Sequence, residues 1–142
     1  MRDPYSLEAE HGLLGALLKR PELVDLLSSD LKSTDFNWGQ NAEIYRAILA
    51  MASERKHIDH VTVAESIGTL ENGESAMAYC IEISMNTPST ANAHSYANVI
   101  RERSIDRQLI ASAQVIHEMA YSTQSTAEKV AAVQAEVLSI DS

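Results

Sequence analysis

The chain has 142 residues, a formal net charge of −9, and a composition that is 45% hydrophobic but only 5% aromatic. That apolar fraction supplies a core and excludes disorder, while few aromatics, glycines and prolines favour helix over sheet. The acidic balance speaks against direct binding of nucleic-acid phosphates, and no apolar run approaches the roughly 18 residues of a membrane span.

Nearly every segment reads as helix. Pro4 and Ser6 precede LEAEHGLLGALLKR, where Glu8 and Glu10 sit near the positive N-terminal end and Lys19 and Arg20 near the other. Leu7, Leu14 and Leu18, widened by Leu13 and Leu17, line one face, and Glu8 and Glu10 are expected on the exposed one. Gly12 and Gly15 each cost a helix interior about 1 kcal/mol relative to Ala, which close approach of a neighbouring helix would offset. Pro21 ends this helix and can start a short second one, to about Ser29.

Phe36 and Trp38, in the next connector, are expected to plug the core. Asn37 and Gln40 form a capping-box-like start to a third helix with Ile44, Ile48 and Met51 on its inner stripe. HIDHV leads into a fourth helix, where Thr62 and Glu65 fit a capping box. The fifth runs from Ser75 to about Met85, closed by Asn86, Thr87 and Pro88, and its Cys80 reads as a buried, inert thiol.

From about Thr90 one helix extends to about Ala120, and its apolar stripe drifts along the way. Tyr96, Val99 and Ile100 form one patch; Ile105, Leu109, Ala113, Ile116 and Ala120 form another. Arg101, Glu102, Arg103, Asp106 and Arg107 lie between them, as pairs within the helix such as Arg103 with Asp106, or as pairs across an interface. Ser125-Thr126-Ala127-Glu128 is a capping box for a last helix carrying Val130, Val133, Val137 and Ile140. The short loop makes these two helices an antiparallel hairpin whose narrow stripes invite a second copy; the alternative is a hairpin folded back onto the body. Residues 1–88 thus read as a helical body and 89–142 as a long helix and hairpin for dimerisation.

No catalytic, metal-binding or cofactor-binding residue is assigned. Gly68 to Ser75 has the spacing of a phosphate-binding P-loop, but Glu74 stands where the lysine is required and would repel the phosphates. His57, Asp59 and His60 are metal-ligand types, yet a site needs further ligands and His11, His94 and His117 are scattered. They read as a loop in which Asp59 or Thr62 caps the next helix. No nucleophile framework is visible. The N-terminus lacks a secretory layout, so a cytoplasmic protein without membrane attachment is expected.

Four ordered blocks carry a resemblance: PYSLEAEHGLLGALL, DFNWGQNAEIYRAILAM, IDHVTVAESI and NTPSTANAHSYANVIRER. Together, over residues 4 to about 120, they resemble the N-terminal domain of DnaB-type replicative DNA helicases of bacteria and their phages. Glu74-Ser75-Ala76 departs from the family's usual double glycine before the fifth helix. The resemblance implies an all-α fold, a compact N-terminal body plus a C-terminal helical hairpin. It implies a collar of paired subunits, a trimer of dimers in a hexamer, that recruits primase, has a helicase loader as a further partner, and binds little or no DNA itself. ATP and Mg would belong to a separate motor domain, leaving this chain non-enzymatic, and its end near Asp141-Ser142 suggests an excised domain. Tyr79, Ile110 and Ile116 match family positions tied to hairpin packing or primase coupling, with ordinary core as the alternative. The candidate partner surface is Tyr79, Ile105, Leu109, Ile110, Ile116, Val130, Val133 and Val137, together with Arg101, Arg103 and Arg107. A helicase-binding domain of a primase and a stand-alone phage mimic of the collar are the competing readings, and the EAE…LG opening and RER block favour the helicase.

Overall fold

The computed structural model describes residues 1–140, and its first helix, α1 (Leu7–Lys19), is the spine of the molecule. Ser6 caps it by accepting the Ala9 N–H at 3.2 Å. Leu13, Leu14 and Leu17 are fully buried. A single 3₁₀ turn, Pro21–Leu23, leads into α2 (Val24–Leu27), and a second, Ser33–Asp35, precedes α3 (Gly39–Ser53). Then come α4 (His60–Ile67), α5 (Ala76–Met85), α6 (Ala93–Ala120) and α7 (Thr126–Leu138). Among the described residues the only strand-like pairing is an isolated bridge between Thr69 and Ser75.

α1 packs against α3, α5 and α6 at once, which explains its glycines. A Cβ at Gly12 would lie 2.5 Å from the Tyr96 ring of α6, and one at Gly15 would overlap the Thr87 hydroxyl just after α5. The close approach expected from the sequence is therefore made on two sides. Phe36 is buried and tilts onto Tyr45 at 4.9 Å between ring centroids. Trp38 stays at the rim, edge-on to Tyr5 at 5.4 Å, because it occupies the N-cap position of α3 rather than the core.

Two capping expectations change. The Asn37–Gln40 box does not form; instead Glu10 reaches across from α1 and accepts the Asn37 N–H at 2.8 Å and the Asn41 amide at 3.0 Å. Glu10 is accordingly 1% exposed, not part of a solvated face. At α4 the reciprocal box lies three residues earlier than Thr62–Glu65: Asp59 accepts the Thr62 N–H at 2.8 Å and Thr62 Oγ1 accepts the Asp59 N–H at 2.9 Å. Gly68 closes α4 with φ 78° and Gly73 turns the next loop with φ 90°, so the P-loop-like segment is a helix-to-helix connector.

The hydrophobic core continues past residue 88 through Ala93, Ala97 and Ile100 of α6, and there it stops. No described residue of α7 is buried. The hairpin leaves the body instead of folding back onto it. Its two helices are tied by Ser112 Oγ donating to Glu136 at 2.8 Å, and Lys129 donates to the Ala120 carbonyl at the end of α6.

Candidate interaction surface

The charged middle of α6 joins the body to the hairpin. Asp35, 2% exposed, accepts from Arg101 at 2.8 Å, Ser104 Oγ at 2.7 Å and the Lys32 N–H at 2.8 Å. A buried carboxylate needs such partners, and the guanidinium fork supplies one without further desolvation of a lysine-like point charge. Arg107 donates to the Asp35 carbonyl at 2.6 Å and the Pro4 carbonyl at 2.8 Å, and Arg103 to the Tyr5 carbonyl at 3.4 Å. Asp106 pairs with Arg2 at 3.2 Å, not with Arg103 along the helix. The charges therefore bind α6 to segments far away in sequence. Arg101, Arg103 and Arg107, expected at an interface with a partner, are turned to the chain's own N-terminus and connector.

Tyr79 lies inside the body, 6% exposed. Its hydroxyl donates to Asn41 Oδ1 and meets His11 Nε2 at 2.8 Å, while Asn41 donates on to Glu10. With the phenolic proton directed at Asn41, His11 Nε2 must carry the proton it shares with Tyr79. The row His11, Tyr79, Asn41, Glu10 thus links α5, α1 and α3 through hydrogen bonds. Burial pushes the His11 imidazole below its usual range, against an upward pull from Glu82, and raises the Tyr79 hydroxyl. Burial also raises Glu10, outweighing its hydrogen bonds from Asn37, Asn41 and Trp38. The Cys80 thiol is pushed up to about 11 by burial, which keeps it an unreactive thiol.

The apolar positions of the hairpin stand in solvent. Leu109 is 51% exposed, Ile110 59%, Val130 53% and Val137 52%, whereas Ile105, Ile116 and Val133 are half-buried. Val115, Tyr121 and Leu138, which the helical stripes did not single out, are exposed beside them. Ile116, Ala120, Val130 and Val133 line an open groove of about 410 Å³ between the two helices. These bare apolar side chains on neighbouring turns form an exposed apolar surface on the hairpin. No three His, Cys, Asp or Glu converge among the described residues, and none of their helices is long and apolar enough to cross a membrane.

A family model for the DnaB-like helicase N-terminal domain matches residues 2–102. The chain belongs to that family. The replicative DNA helicase DnaB of Buchnera aphidicola subsp. Baizongia pistaciae is 37% identical over 121 residues, 83% of this chain but 26% of that protein. The chain thus spans about a quarter of the length of the curated relatives it matches. The crystal structure of the N-terminal domain of DnaB helicase from Mycobacterium tuberculosis superposes with a TM-score of 0.87 at 28% identity, covering 96% of this chain and 99% of that one. The N-terminal domain of DnaB helicase from Helicobacter pylori, whose structure was described together with its interactions with primase, shares the fold with a TM-score of 0.69 at 21% identity, covering 80% and 90%. The four sequence blocks and the all-α architecture therefore agree with the family.

Proposed function

We propose that this chain is the non-catalytic collar domain of a replicative DNA helicase, pairing subunits through the α6–α7 hairpin and recruiting primase at the fork. The observation that carries this reading is the abrupt end of the core at Ile100, beyond which the apolar side chains of two helices remain uncovered. A two-helix hairpin that buries none of α7 gains stability by covering its stripes with a second copy. In this reading residues 1–88 are the body, with the first turns of α6 completing its core, and the remainder is the assembly element. Three such pairs would build a hexameric ring.

Leu109, Ile110, Val130 and Val137 are the side chains to meet the partner subunit, with Ile105, Ile116 and Val133 at the bottom of the same faces. Tyr79 serves partner coupling only through the helices it fixes, and Arg101, Arg103 and Arg107 hold the hairpin at its angle to the body. Primase recruitment is supported by the shared fold of the H. pylori domain, and a helicase loader is a further partner of the same ring. ATP and Mg belong to a motor domain in the parent helicase, which works in the cytoplasm, while the acidic collar contributes little DNA binding. Sedimentation velocity with chemical cross-linking tests the pairing: a dimer or larger assembly is expected, and a monomer without cross-linked species at high concentration contradicts it.

A further inference from the structure

From His57 to Ile100 the chain contains no lysine or arginine and carries five acids, Asp59, Glu65, Glu71, Glu74 and Glu82. Within this stretch α5 reads AMAYCIEISM, apolar on nearly every side. Ala76, Tyr79, Cys80 and Ile83 form its buried inner face. Ala78, Ile81 and Met85, spaced i, i+3 and i+7, share the opposite face and are exposed, Ile81 to 39% and Met85 to 80%. A helix that is apolar all round is ordinarily covered all round, and a solvated face would be expected to carry charge. Glu82, beside Ile81, is the only charged residue of α5.

We propose that the outer face of α5 docks a basic amphipathic helix of another protein, which seats apolar side chains on Ala78, Ile81 and Met85 and sets lysines or arginines against Glu82 and Glu74. Helix-in-groove recognition uses this i, i+3, i+7 spacing of apolar anchors, and methionine adapts its shape to the side chains laid on it. The charge selects the occupant. Glu74 stands two residues before the start of α5 and Glu82 lies near its end, both exposed, so acids flank the apolar stripe at either end. Lys19 reaches the loop after α5 but donates to the Thr87 carbonyl. A second copy of this chain would bring the same acids onto the face and be repelled. The face belongs to the body and shares no residue with the hairpin surface, so it stands independently of subunit pairing.

The test titrates the ¹⁵N-labelled chain with a synthetic helical peptide bearing leucines on one stripe and lysines elsewhere, and with the same peptide carrying glutamates for the lysines. Saturable, salt-sensitive shifts are expected at Ala78, Ile81, Glu82 and Met85 with the lysine peptide and none with the glutamate peptide. The double variant Ile81→Glu, Met85→Glu should bind about tenfold more weakly or worse while keeping its thermal unfolding midpoint. Should that variant unfold, Glu82→Lys, which leaves the apolar stripe intact, should weaken binding to a similar extent. Shifts centred on Leu109, Val130 and Val137 of the hairpin, equal binding of the glutamate peptide, or a drop in oligomeric state of the unliganded Met85→Glu chain would each overturn the proposal.

Discussion

Arg101 on α6 meets the buried carboxylate of Asp35 at 2.8 Å across 66 residues of sequence. Around that contact Ser104 and Arg107 of the same helix also hold the connector before α3, so a polar junction adds to the packing of α6 on α1 in fixing where the hairpin leaves the body.

Removing either partner should therefore be costly. Asp35→Ala removes the buried carboxylate that Arg101 and Ser104 share, and Arg101→Ala takes from that carboxylate its charged donor, each at about 3 kcal/mol. The double variant should lose clearly less than the sum, because the orphaned charge is gone. Urea unfolding of the four proteins measures the coupling; strictly additive losses would mean that the pair contributes nothing as a pair.

Gly15→Ala places a methyl group on the Thr87 hydroxyl. Intrinsic propensity favours alanine in a helix by about 1 kcal/mol, but overpacking at a rigid contact costs about 1–3 kcal/mol. The net effect should be destabilising and visible as a lower unfolding midpoint. Removing the hydroxyl with Thr87→Ala in the Gly15→Ala background should recover part of it, less what is lost with the hydrogen bond from that hydroxyl to the Ile83 carbonyl.

His11 makes stability depend on pH. Burial lowers its folded pKa below the ordinary 6.5, so the native state binds fewer protons than the unfolded chain between the two values. Its contribution is fully present above pH 6.5 and is lost as pH falls through the folded value. Glu10 acts in the opposite sense, since its folded pKa is raised from 4.5 and its contribution declines as pH rises through that raised value. Comparing the wild type with His11→Gln, which can still donate to Tyr79, separates the two. The wild type should lose stability on acidification below 6.5 more steeply than the variant; parallel curves would mean that His11 does not carry the effect.

The helix order was legible because Ser6, Ser75 and Ser125 each cap a helix from within its own sequence, and because the stripe of α6 visibly changes side beyond Ile100. Glu10 was not legible. An acid in the first turn of an amphipathic helix looks like a complement to the helix dipole, and only the arrival of α3 turns it into a cap for another helix. The arginines of α6 misled for the same reason: Asp106 is near in sequence, but Asp35, Pro4 and Tyr5 are near in space. Tyr79 follows its ordinary-core reading, and Asn41 and His11, on two other helices, take up its hydroxyl. What local spacing conveyed was the position of the apolar faces, which stand exposed on α6 and α7, but not the polar contacts that tie α6 to the body.

The most direct test of the account replaces two half-exposed hairpin side chains, Val130→Glu and Val137→Glu, and measures molar mass by light scattering over a wide concentration range. Because both side chains are about half exposed, at 53% and 52%, helicity and unfolding midpoint should stay close to wild type. The wild type should form dimers or larger assemblies, and the double variant should remain monomeric. A folded double variant with the same molar mass as the wild type would contradict it.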